Sequence, residues 1–164
     1  MHWVIREARA QDAAAMARVH VESWRETYRG LMPDELLDDP ELLHRREQFW
    51  LGALTDPRYA ANRVVVAVRD EAIVGIAMSG PSTDPVAPAG RHLHVLYVLA
   101  SHHGLGVGGG LLNAVLDEDQ ESSLWVADPN PRAQAFYRRN GFLPNGASRT
   151  ESGVREIRMR RSAG

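Results

Sequence analysis

Between His102 and Leu112 the chain reads "HHGLGVGGGLL", with glycine at 104, 106, 108, 109 and 110. Glycine loses more conformational freedom on ordering than any other residue, so such a run is unsuited to the middle of a strand and opens a helix only where something needs bare backbone. Upstream stands the apolar strand pattern "RHLHVLYVLA" and downstream "LLNAVLDED", where Val107, Leu111, Leu112, Val115 and Leu116 recur on one helical face. The glycines therefore make a strand-to-helix turn. The first amides of that helix lack intrahelical partners, and with no Cβ in the way they can meet a phosphate that the helix dipole also favours. Read as Gly104-Leu105-Gly106-Val107-Gly108-Gly109 the turn spells G-x-G-x-x-G, a dinucleotide fingerprint, and Asp128 follows at about the twenty-residue spacing that fingerprint asks for.

The surrounding pattern points elsewhere. "HWVIREA" alternates as a strand, and Asp12 offers a cap for the helix "AAAMARVHVESWRETY", whose Met16, Val19, His20, Ser23, Trp24 and Thr27 form an inward stripe. A second helix is expected over residues 40–54, then a hairpin of "RVVVAV" and "IVGIAMSG", a proline-rich loop "GPSTDPVAPAG" expected to be mobile, and the strand before the glycines. "SLWVAD" reads as a strand, "PRAQAFYRRNG" as a helix, and "FLPNGASRTESGVREIRMRR" as a closing pair of strands. This order predicts one α+β domain over residues 1–164 with a mixed, mostly antiparallel central sheet flanked by helices, whereas a dinucleotide domain requires alternating βαβ units.

Composition narrows the chemistry. The chain has no cysteine, which excludes thiol nucleophiles and thiolate metal sites, and its 19 basic residues are all arginine, which excludes a phosphate-loop lysine and Schiff-base chemistry. A net charge of -2 and a pI near 6.4 give no footprint for nucleic acid. Arg6 and Glu7 interrupt any apolar signal segment, and no run reaches membrane-span length, so no membrane partner and a cytoplasmic protein are expected. The tail strands leave sheet edges compatible with a homodimer.

The segment "LYVLASHHGLGVGGGLL" resembles the acetyl-CoA-binding segment of the GNAT superfamily of N-acetyltransferases, Q/R-x-x-G-x-G/A after a strand. His103 fills the first position in place of glutamine or arginine, Gly106 the fourth and Gly108 the sixth. "VADPNPRAQAFYRRNGF" is similar to the family's N-x-x-A-x-x-F-Y-x-x-x-G-F, with Asn130, Ala133, Phe136, Tyr137, Gly141 and Phe142 in register. The resemblance covers essentially the whole chain. It implies a GNAT fold, acetyl-CoA as co-substrate with no metal, and direct acetyl transfer to a primary amine of a small molecule or peptide.

The same resemblance implies roles for particular residues. The turn His103, Gly104, Leu105, Gly106, Val107, Gly108 and Gly109 would hold the pyrophosphate, the main chain at Leu96 and Val98 would bond the thioester carbonyl and pantetheine arm, and Asn130, Ala133 and Tyr137 would also contact the co-substrate. Tyr137 would protonate the departing thiolate. Where many members carry a glutamate as base, this chain has His92, with His94 next along the strand. Glu22, Trp24 and Tyr28, with Glu26, fall where the family receives its acceptor, and their carboxylates would attract a cationic amine.

Read from the residues alone, several of these positions have plainer accounts. Asn130 before Pro131 is a helix cap, Gly141 ends a helix in the left-handed conformation, Tyr137 is a helix aromatic with its hydroxyl at the rim, and Trp24 is core. Two-residue alternation puts His92, His94, Leu96 and Val98 on one strand face. "HLH" and "HH" also raise a histidine metal site, and a fold that holds acetyl-CoA without catalysis is a further alternative.

Overall fold

The computed structural model describes residues 2–82 and 90–164. Among them, strands β1 (Val4–Glu7), β2 (Arg63–Arg69), β3 (Ala72–Pro81), β4 (Arg91–Val98), β5 (Ser122–Ala127), β6 (Leu143–Glu151) and β7 (Val154–Arg161) form one sheet in the order β1-β2-β3-β4-β5-β7-β6. All neighbours are antiparallel except β4 and β5. The helices are α1 (Ala13–Tyr28), α2 (Asp34–Leu37), α3 (Leu42–Thr55), α4 (Val107–Val115) and α5 (Pro131–Arg139). The expected order is thus recovered, with the single-turn α2 added. The proline-rich loop expected to be mobile lies largely outside the described residues.

The apolar pattern explains the layers. The run of β2 is almost continuously apolar because both its faces are covered. Val65 and Ala67 pack with Leu111, Leu112 and Val115 of α4 and with Tyr137 of α5, while Val66 joins Met16 and Val19 of α1 and Trp50 of α3. Trp50 is fully buried, so truncation there would cost about 3–5 kcal/mol. β6 closes one edge of the sheet and is exposed along its whole length.

Two irregularities of β4 shape everything that follows. The register passes from Met78↔Val95 to Ser79↔Leu93, which leaves His94 without a partner in β3, a β-bulge. Leu93, Leu96 and Val98 consequently pack towards α4, whereas Val95 and Tyr97 pack towards α1 and α3. This corrects the single face expected for His92, His94, Leu96 and Val98, because an extra residue reverses the alternation beyond it. The second irregularity is the brevity of the parallel pairing. β4 meets β5 only through Arg91, His92 and Leu93, and from Trp125 onward β5 is paired with β7 alone. The two strands part in a V.

Asp12 does not cap α1 as expected. Its carboxylate turns back to accept two hydrogen bonds from the Arg6 guanidinium, at 2.8 and 3.0 Å, and one from the Arg9 amide at 2.8 Å. A bidentate, charge-assisted partner outcompetes a single backbone donor. The bond to Arg6, aided by the Arg9 amide, holds the Asp12 carboxyl below its ordinary value of 3.8, against the effect of burial. Asp12→Asn should lower unfolding free energy by about 1–3 kcal/mol in denaturant titrations at neutral pH. Because the folded-state pKa is depressed, the wild-type advantage is full above the ordinary value and should vanish as pH falls through the lower one.

Candidate functional site

After β4, Ala100–His102 form a single 3-10 turn before the glycines. His103 then closes the turn on the strand, with Nε2 donating to the Val98 carbonyl at 2.8 Å. Its ring is thereby directed to the strand end. Gly104 and Gly106 have φ of +79° and +83°, conformations that L side chains avoid, and Gly106 is the residue that starts α4. The first intrahelical bond runs from Gly110 N–H to Gly106 O at 3.1 Å, so the helix does not use the amides of Val107, Gly108 and Gly109.

The remaining glycines admit aromatic rings. A Cβ on Gly108 would stand 3.2 Å from the Phe136 ring and one on Gly110 2.8 Å from Trp3, whereas Gly109 faces open space. Trp3 also donates its indole N–H to the Leu105 carbonyl at 3.0 Å, which holds the turn from the far side. Phe136 brings α5 against the start of α4. At the head of α5, Asn130 accepts from the Ala133 amide at 3.2 Å, the cap that its position before Pro131 predicts, and Ala133 packs on the core.

Tyr137 sits one residue beyond Phe136, buried edge-on against Phe136 and Phe142. Burial first, then the nearby Tyr28, raises its pKa well above that of an ordinary phenol. Across the V, the Tyr97 hydroxyl accepts from the Trp24 indole N–H at 2.9 Å and lies 3.4 Å from the Tyr28 hydroxyl. Tyr97 and Tyr137 belong to opposite faces of the sheet, yet they interact electrostatically because the strands between them have parted.

On the α1 side a cleft of about 930 Å³ opens over this point, lined by Trp24, Tyr28, His94, Tyr97, Arg46 and Glu156 among others. Trp24 and Tyr28 thus line the cleft. Glu22 is exposed and outside the cleft lining, and Glu26 accepts a hydrogen bond from the Ala100 amide at 3.1 Å, which ties α1 to the turn after β4. Of the two histidines on the strand, His92 bonds Ser123 Oγ through Nδ1 at 2.9 Å, while His94, the bulged residue, reaches the cleft. Their rings are 4.9 Å apart. Desolvation, then the Arg91 guanidinium, lowers the His94 pKa, so its imidazole is neutral at pH 7.

The cleft floor was not legible in the sequence. His20 accepts the Trp50 indole N–H on Nδ1 at 3.1 Å, and burial with Arg46 nearby pushes its pKa down to about 3, so this imidazole is neutral with its proton on Nε2. Arg46 of α3 lies over the Trp24 ring at 4.5 Å and the Phe49 ring at 5.5 Å. Arg149 on β6 pairs with Glu156 on β7 at 2.8 Å. The available signals were weak: Arg46 precedes Phe49 by one helical turn, and His20 precedes Trp24 likewise.

The rival readings fare poorly on geometry. A sheet with one parallel pair is not the parallel sheet of a dinucleotide domain, and among the described residues Asp128 is engaged by Gln134 and Arg155. His102 bonds Ser101 and His103 bonds Val98, so the two loop histidines do not converge with His92 and His94. Among the described residues no helix is long and apolar enough to cross a membrane.

Comparison with known proteins agrees with this geometry. Residues 13–142 match the model of the acetyltransferase (GNAT) family. The chain is 28% identical to a probable N-acetyltransferase of Mycobacterium tuberculosis over 89% of this chain and 83% of that one, and 27% identical to an uncharacterized N-acetyltransferase, YuaI, of Bacillus subtilis over 77% and 73%. Its fold is similar to that of the PaiA N-acetyltransferase of Thermoplasma acidophilum, crystallised with coenzyme A, with a TM-score of 0.78, 20% identity and 99% of both chains covered.

Proposed function

Because the chain belongs to the GNAT family of acetyltransferases, which use acetyl-CoA, we propose that it passes the acetyl group directly to a primary amine of a small molecule or peptide while both substrates are bound. The observation that carries this reading is the V between β4 and β5, which has the glycine turn and α5 on one side and the cleft on the other. The coenzyme A bound to the PaiA neighbour supports the same direction.

The residues fit acetyl-CoA. The spare amides of Val107, Gly108 and Gly109, aligned with the α4 dipole, suit a pyrophosphate, and the open space at Gly109 leaves room for one. The backbone of β4 beyond Leu93 has no β5 partner, so Leu96 and Val98 can bond the pantetheine arm and the thioester carbonyl. Asn130 and Ala133 hold the head of α5 beside that path.

Acetyl-CoA supplies a thioester whose C–S bond breaks as the N–C bond forms. His94, neutral and at the cleft mouth, takes the proton of the attacking amine directly or through a water, with His92 beside it. Tyr137, which stays protonated across the neutral range, gives its proton to the departing thiolate. Backbone amides of β4 stabilise the developing oxyanion without requiring any particular side chain.

Calorimetric titration with acetyl-CoA, with NADH and zinc in parallel cells, tests the reading; acetyl-CoA should bind in the micromolar range and the others should be silent. Binding of NADH or zinc alone would sink it. Gly109→Asp should weaken acetyl-CoA binding by roughly 10-fold or more with an unchanged melting temperature, since an acidic residue in a first turn favours the helix and only a bound phosphate would object. Tyr137→Phe should cut kcat by about 10²–10⁴ with little change in acetyl-CoA affinity, the range usual for a general acid. Unaltered turnover with a good acceptor would remove Tyr137 from this role. The kcat/KM profile should fall on the acid side as pH drops through the His94 pKa, below its ordinary 6.5, and His94→Ala should erase that limb.

A further inference from the structure

Three arginines line the cleft, and two are compensated: Arg58 pairs with Asp56 at 2.6 Å and Arg149 with Glu156 at 2.8 Å. Arg46 differs. Among the described residues it has no carboxylate within ion-pair distance and no hydrogen bond, and its Nε is buried without a partner. Its guanidinium rests on the Trp24 and Phe49 rings. Cation–π contact of this kind offsets only part of the cost of holding the half-buried guanidinium with its Nε unpartnered. Burial, then Arg45, lowers its pKa against the opposing effect of the Tyr97 hydroxyl, and no carboxylate acts on it.

The neighbours of Arg46 reinforce the pattern. His20 presents a neutral Nε2–H with no hydrogen-bond partner among the described residues, because Nδ1 is taken by Trp50. The path from Arg46 to the strand crosses one indole, since Trp24 lies under the guanidinium and bonds Tyr97 of β4. A cation and a neutral donor on an aromatic floor, one ring from the proposed point of transfer, match an anion carried close to the reacting amine.

We infer that the acceptor is an amino acid or a close derivative, whose carboxylate pairs with Arg46 while its amine is presented at the bulge of β4. This inference rests on the acetyl-transfer reading above. The fork of a guanidinium suits the planar carboxylate, and the apolar walls of Trp24, Tyr28 and Phe49 suit a hydrocarbon or aromatic side chain.

The test uses matched pairs that differ only in the carboxylate: phenylalanine with phenethylamine, leucine with isoamylamine, tyrosine with tyramine. Rates with acetyl-CoA are measured for the wild type, Arg46→Gln and Arg46→Lys, and binding of the corresponding N-acetyl products is measured by calorimetry, which needs no turnover. The acid member of at least one pair should be preferred by roughly 10- to 100-fold in kcat/KM and in product affinity. Arg46→Gln should abolish that preference through the acid member alone, Arg46→Lys should restore part of it, and acetyl-CoA affinity and melting temperature should stay unchanged. Equal treatment of every pair, a preference that survives Arg46→Gln, or no binding of any acid member while acetyl-CoA binds normally would each overturn the inference and leave the acetyl-transfer reading standing. Failure of the wild type to bind acetyl-CoA would instead strike that reading itself.

Discussion

The parallel pairing of β4 with β5 stops after Leu93, and most of what this molecule offers chemically depends on that stop. A fully zipped sheet would spend the outer backbone of β4 on β5 and would keep the two faces apart. Here β5 turns its loyalty to β7, whose six registers with β5 hold it firmly away. The freed edge of β4 is partly buried, and unpaired backbone groups are costly where water cannot bond them. A ligand that lays a chain of amides along such an edge meets that need, which is why the opening reads as a binding path and not as a flaw in the sheet.

The bulge at His94 makes the second half of the arrangement. By shifting the alternation by one residue it sends Leu96 and Val98 to the α4 core and Tyr97 to the α1 side. The strand can then serve two compartments at once, an apolar wall along the glycine-turn path and an aromatic floor under the cleft. The same shift leaves His94 itself outside both cores, at a place on the strand from which its imidazole lines the cleft beside Tyr97.

Legibility followed the range of the physics. Elements fixed by local rules were readable: the glycine turn between strand and helix, the amphipathic stripe of α1, the cap at Asn130 and the left-handed Gly141 all stand where periodicity and turn chemistry place them. The fold followed from their order and from two motifs. What failed to show was decided by distant partners. Asp12 looked like a cap until Arg6, brought back by β1, outbid the helix amides. Strict alternation missed the bulge because its cause is the register with β3. Arg46 carried only the weak signal of its spacing to Phe49, since its meaning lies in the absence of a carboxylate around it among the described residues, and an absence is visible only when the neighbours are known.

The electrostatic division between the two compartments gives a direction to the proposed chemistry. On the glycine side the positive end of α4 is free to face the proposed phosphate-bearing substrate; on the cleft side Asp56 and Glu156 are paired with Arg58 and Arg149, and burial lowers the pKa of His20 and His94. A neutral imidazole can accept a proton but has none to spare, and a deeply buried phenol can donate one but resists ionisation beforehand. The proposed proton acceptor therefore lies in the cleft and the proposed donor on the α5 side. The V between β4 and β5 is where the two meet, so an amine entering from one side and a thiolate leaving towards the other would each find the partner of the correct protonation state without any residue having to change sides.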